Sequence, residues 1–221
     1  MRRLGFAVLL LAVALSATAV AGATRDPRDE QIRLTAADNA LAKRIALRAA
    51  DLGGGWRRLG VTQSDEEPLR CTRFNPDLSA FTITGRAATA LSRSAGSSAA
   101  STVDVFKSRA DAIGDFRATA KPEVARCLRE VLEDQMAEQG GGVFTLRVLS
   151  SKVVRAPKVG DRRIAYRLLA QLGAQGVGIP VYLDIVGFQR GRSIAALFFT
   201  GVSRPIAGRA DAARRVAARM R

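Results

Sequence analysis

"RIAYRLLAQLGAQGVGIPVYLDIVGFQRGRSIAALFFTGV", Arg163–Val202, decides the fold. Ile164, Tyr166, Leu168, Ala170 and Leu172 alternate with Arg163, Arg167 and Gln171, the two-residue period of a strand. "GIPVYLDIVGFQ", Gly178–Gln189, is apolar on both faces apart from Asp184, which predicts a strand covered on both sides. "SIAALFFTGV" follows "QRGR", whose Gly191 marks a hairpin turn. "GAQGVGIP", Gly173–Pro180, is expected to be the loop joining the first two strands. Consecutive strands with glycine-marked connections imply an antiparallel meander. Asp184 has two readings within it. A buried carboxylate needs a cationic partner, which Arg167 on the preceding strand can supply. Alternatively, Asp184 points outward at a strand edge.

Working outward, helices precede and follow this sheet. Thr35 with Asp38 has the form of a capping box, and Leu41, Ile45, Ala49 and Leu52 continue at helical spacing, so one helix is expected through Leu52. Gly53–Gly55 follow that stripe, where glycine terminates a helix; a phosphate loop needs the reverse order, glycines leading into a helix. Ser108 and Asp111 begin a second helix with Ile113 and Phe116 on one face. Pro122 begins a third, with Val124, Cys127, Leu128, Val131 and Met136 near one face, and Gly140–Gly142 stop it before a strand in "FTLRV". "FTITGRA" and "STVDVF" read as two more strands, separated by "SRSAGSSAAS", expected to be a mobile connection or a loop over a pocket. The chain closes on a helix with Ile206, Ala210, Ala213, Ala217 and Met220 on one side and arginines toward its C-terminal end, where they complement the helix dipole. The order is that of an α+β protein: an antiparallel β-sheet with helices packed on it, in a single domain spanning 34–221.

The N-terminus explains where such a chain would work. Arg2 and Arg3, the apolar run Leu4–Leu15 and Ala21-Gly22-Ala23 have the layout of a secretory signal peptide over 1–23, with an uncleaved anchor as the alternative. Residues 24–33 read as a polar linker. No second apolar run reaches spanning length, so no transmembrane span is expected in the mature form. Lys and Arg exceed Asp and Glu by 15 over the chain, and from Ser151 to Arg221 fourteen cations face only Asp161, Asp184 and Asp211. That basic C-terminal third favours anionic cell-envelope components as partners. GC-rich coding accounts equally for thirty Arg against five Lys. Cys71 and Cys127, in an exported chain, read first as a disulfide, with two separate buried thiols as the alternative.

The absence of histidine excludes Ser-His-Asp and Cys-His triads, and two distant cysteines cannot close a zinc shell. No Walker loop, G-x-S-x-G elbow or EF-hand spacing occurs, so no cofactor or metal is expected. Paired carboxylates for glycoside cleavage survive as a possibility in Glu130, Glu133, Asp134 and Glu138. Their other reading is a solvent face with Arg126 and Arg129 as i,i+4 partners. Trp56, flanked by Arg57 and Arg58, either lines a cleft with Arg167 and Asp184 or covers the core where the first helix turns into the sheet. Nucleic acid is an unexpected partner, since no aromatic side chains interleave with the cations.

Several stretches together resemble a known group: "ALRAADLGGGWRRL", "CTRFNPDLSAFTITGRA", "SSAASTVDVFKSRADAIGDF" leading to "RCL", and the strands around "GFQRGR". They are similar to secreted actinobacterial proteins related to LpqN-type lipoproteins and to extracellular sensor domains of bacterial Ser/Thr kinases. The resemblance implies a PsbP-like α/β/α sandwich. It lends no site residues. The expectation is a secreted, non-catalytic, envelope-associated binding or sensing module for a lipid, small molecule or anionic component. The alternatives are an interaction domain without a small-molecule pocket and a carboxylate-based cell-wall hydrolase.

Overall fold

The computed structural model describes residues 26–60, 69–93, 96–139, 144–174 and 177–220. Strands β1 (Gln31–Ile32), β2 (Arg57–Leu59), β3 (Thr82–Arg93), β4 (Ser97–Phe106), β5 (Phe144–Val153), β6 (Arg162–Ala174), β7 (Val177–Arg190) and β8 (Ser193–Val202) form one sheet. Its order is β1-β3-β4-β8-β7-β6-β5, with β2 sharing the β1 edge of β3. Only β1 pairs in parallel. The others are antiparallel, and β5 to β8 are the expected meander.

Helices α1 (Ala36–Ile45), α2 (Ala49–Leu52), α3 (Arg109–Thr119), α4 (Glu123–Gln139) and α5 (Arg209–Ala218) cover both faces. Because alternate strand residues point to opposite sides, Leu197 and Phe199 on β8 and Phe188 on β7 meet Ile45 of α1 and Val216 of α5. Leu183 and Ile185, in the opposite phase on β7, pack with Tyr166, Leu168 and the α4 residues Val124 and Leu128. The fold is α+β, a sheet between two helical layers. That explains the doubly apolar character of β7.

Several local expectations change. The helix expected through Leu52 is broken: Ala46 has an extended ψ of 152°, and α2 restarts after Arg48. The residues around "GSSAAS" are strand, since Ser97–Ser101 pair with β3 and Ser98–Ser101 with β8. Small side chains there let the connection to α1 approach closely, and Ser101 Oγ accepts from Leu47 N at 3.0 Å. "GAQGVGIP" is not an eight-residue loop, because β6 and β7 run through it to Ala174 and from Val177. Part of the polar segment 24–33 is docked on the sheet: Asp29 and Glu30 are buried, and Gln31–Ile32 pair with Thr82–Ile83. On α5 the covered residues are Ala212, Ala213, Val216 and Ala217, while Ala210 is exposed. The expected signal segment, Gly140–Gly142 and the side chain of Met136 lie outside the described residues.

Other signals hold. Thr35 Oγ1 accepts from Asp38 N, Ser108 Oγ accepts from Asp111 N, and Gly53 ends α2 with φ 87°. Gly191 turns β7 into β8 with φ 58°. Gly85 on β3 is required for packing, because a Cβ there would run into the backbone carbonyl of Asp38 on α1.

Candidate functional site

Antiparallel register places Arg167 on β6 directly opposite Asp184 on β7, both on the sheet face that carries α5. Asp184 is 3% exposed and sits on a central strand, which overturns the outward, edge-strand reading. Arg167 Nε lies 2.6 Å from Asp184 Oδ1. A second cation, missed in the sequence, is Arg209 at the start of α5, with Nε 3.2 Å from Oδ2. Gly208, at φ 76°, turns the chain into that helix and brings Arg209 over the sheet. Burial lowers the Arg209 guanidinium below its ordinary value; Asp184 opposes this and the charge on Arg167 reinforces it. Two guanidinium groups therefore share one carboxylate.

This pair forms the floor of a groove of about 890 Å3 between α5 and the segment 154–158 that follows β5. Val154, Pro157 and Ile206 provide apolar wall. Arg155 and Lys158 are exposed at the rim and have no hydrogen bond or ion pair among the described residues. Arg214 pairs with Asp211. Five cations thus line the groove against two carboxylates, Asp184 and Asp211. The first turn of α5 adds uncapped N–H groups, since Gly208 has no side chain to accept from them. The arrangement can attract and orient an anion. Among the described residues that line it there is no Ser, Thr or Cys. A smaller hollow of about 370 Å3, bordered by Arg58, Leu59, Gly60 and Ala88, contributes one charged side chain.

Trp56 does not join this site. It is 8% exposed in the core with Ile45 and Leu91, and the Arg93 guanidinium stacks 5.6 Å from its ring centroid. The covering role is the one observed.

No family model matches the chain, and no curated protein matches it. Among solved structures it is similar to the solution structure of cyanobacterial PsbP (CyanoP) from Synechocystis sp. PCC 6803. Identity is 8% and the TM-score 0.38, over 70% of this chain and 77% of that one.

Two carboxylates on α4, Glu130 and Glu133, serve the backbone. Glu130 accepts from Thr72 N at 3.2 Å and Thr72 Oγ1 at 2.7 Å, which holds its carboxyl below the ordinary value. Glu133 accepts from Val148 N at 3.1 Å, while Arg129 donates to Val148 O rather than pairing with Glu133. Asp134 is exposed, and the side chain of Glu138 lies outside the described residues. A general acid needs the opposite shift.

Raised carboxyls occur elsewhere, at Glu30 and Asp115. Burial drives both upward, and each feels negative neighbours, including Asp104. The sequence signal was present: Asp115 lies on the Ala112–Phe116 face of α3 at helical spacing.

Cys71 and Cys127 form a disulfide with Cα atoms 5.5 Å apart. It ties the turn Cys71–Phe74 to the buried face of α4.

Proposed function

We propose that the chain is a secreted, non-catalytic binding or sensing module of the cell envelope, whose groove beside α5 takes an anionic or amphiphilic ligand. The observation that carries this reading is the imbalance of the groove. Its buried carboxylate, Asp184, is shared by Arg167 and Arg209, and Arg155 and Lys158, without a partner among the described residues, stand at the rim. Anion attraction by such a concave basic surface is stronger than by scattered surface charge, because low-dielectric walls focus the field. Among the described residues no helix is long and apolar enough to cross a membrane. The alternative of a protein-interaction domain draws on Leu149 and Val153, exposed on edge strand β5. The bulge at Leu149 and the neighbouring Lys152 weaken that edge as a docking strand. Against the carboxylate-hydrolase alternative stand the backbone contacts of two of its four candidates, Glu130 and Glu133.

Native mass spectrometry of the chain, expressed with export, tests the proposal. A reproducible extra mass released on denaturation is expected. A bare polypeptide mass after exposure to envelope extracts would overturn the small-ligand reading and favour the interaction domain.

A further inference from the structure

The charges in the groove constrain its ligand beyond "anionic". Arg155, Lys158, Arg167, Arg209 and Arg214 face Asp184 and Asp211, a surplus of three positive charges. A carboxylate ligand brings one negative charge. A phosphate monoester brings about 1.5 to 2 at neutral pH, with three strong acceptor oxygens for guanidinium, ammonium and helix N–H donors. The position of the donors agrees with this. Among the described residues Arg155 and Lys158 have no hydrogen bond or ion pair, and the uncapped first turn of α5 lines the same groove. The groove volume, about 890 Å3, is far larger than a phosphate group needs, and Val154, Pro157 and Ile206 leave its remaining wall apolar. A ligand that fills this site carries an apolar body as well as its head.

On the binding-module reading, we infer that the groove takes an organic phosphate monoester, its phosphate at Arg155, Lys158 and the N-terminal turn of α5, its apolar body along Val154, Pro157 and Ile206. Arg167 and Arg209 remain with Asp184 on the floor and set the positive potential there. An amphiphilic lipid phosphate meets both requirements; free inorganic phosphate meets only the first.

Calorimetric titration of the exported chain separates these cases. The probes are monododecyl phosphate, neutral dodecyl maltoside and inorganic phosphate, each below any micellar concentration. Dodecyl phosphate is expected to bind one to one, at least tenfold more tightly than either other probe. The double variant Arg155→Gln, Lys158→Gln should weaken it at least tenfold with Tm unchanged. Lys43→Gln with Arg44→Gln removes the same charge from the exposed surface of α1 and should leave the affinity alone. Inorganic phosphate binding as tightly as dodecyl phosphate would overturn the amphiphile. Dodecyl maltoside binding equally well, insensitive to Arg155 and Lys158, would overturn the phosphate while leaving the binding module standing. If no probe binds but the exported chain carries a releasable mass, the phosphate inference alone fails; if neither is seen, both readings fail.

Discussion

Arg219 and Asp51 form a two-bond ion pair between the C-terminal end of α5 and α2, Nη1 2.9 Å from Oδ1 and Nη2 2.7 Å from Oδ2. The same guanidinium donates to the carbonyls of Ile45, at 3.1 Å, and Ala46, at 3.0 Å. Those carbonyls are freed where α1 stops and the chain runs extended before α2. Asp51 in turn accepts from Arg48 N at 2.8 Å. One arginine beyond the C-terminal helix therefore fixes a break in the N-terminal helical region.

Replacing Arg219 with Met should consequently cost more than a surface charge does. Asp51 is left buried without its cation, and two carbonyls lose their donor. Removing one partner of a buried pair costs about 3–5 kcal/mol, and the partial exposure of Arg219 places this case near about 3. Urea denaturation reads it as a lower midpoint at unchanged slope. A loss under about 1 kcal/mol would show that the break is held by packing alone.

Reduction of Cys71–Cys127 is expected to destabilise the domain by about 4 kcal/mol, from the loop entropy released in the unfolded chain. Paired urea titrations with and without reductant check this, with Cys71→Ser, Cys127→Ser as the matching variant. Equal midpoints would mean that the bond adds nothing beyond the packing of Cys127 on α4.

What the sequence made legible was the half of the fold whose signals are local. Ile164 to Leu172, the Gly191 turn and Ser193–Val202 could be read directly, because alternation and turn chemistry lie within each segment. Ile45, Ala49 and Leu52 kept helical spacing across a real break, and the residue that stabilises the break is Arg219, more than 170 positions away. Asp184 was singled out with Arg167, but its second partner comes from α5, which only the tertiary fold carries back over β7. The serines of β4 look like a linker by composition, whereas Ser101 is buried between strand and helix. One tryptophan beside two arginines suits a cleft or a core edge, and only the fold places Trp56 with Ile45 and Leu91.

Gly85 provides a test of the α1 contact. A methyl group at this position meets the Asp38 backbone, so Gly85→Ala must lift α1 from β3. Overpacking of this kind costs about 1–3 kcal/mol. It should also disturb the Asp38–Arg192 pair, in which Arg192 Nη1 donates to Oδ2 at 2.8 Å. Thermal unfolding of Gly85→Ala and of Asp38→Asn checks the coupling. The double variant should lose less than the sum of the singles.

The pH dependence of stability follows from opposed sets of carboxyls. Asp115 is held well above its ordinary value, first by burial and then by the charges of Glu30 and Asp104, with Arg86 opposing; Glu30 is raised chiefly by burial. Among the described residues Asp115 Oδ1 has no hydrogen-bond donor. Asp104 faces the pair and bonds Arg86 at 2.6 Å, while adjacent Asp29 bonds Arg70 at 2.6 Å. Groups with raised folded values stabilise fully below the unfolded value of about 4, and this contribution is lost as pH rises through the folded value. Asp38, lowered chiefly by the Arg192 hydrogen bond, acts in the opposite sense. So does Asp51, lowered by Arg219 against the opposing effect of burial. Their contribution is complete above about 4 and lost as pH falls through their lower folded values. Stability should therefore peak on the acid side of neutrality and decline as pH rises through the raised folded values. Urea midpoints between pH 3 and 9 measure the two limbs. Asp115→Asn, which keeps a neutral group of the same shape, should flatten that decline and leave the acid limb in place. An unchanged slope in that variant would assign the decline to other groups.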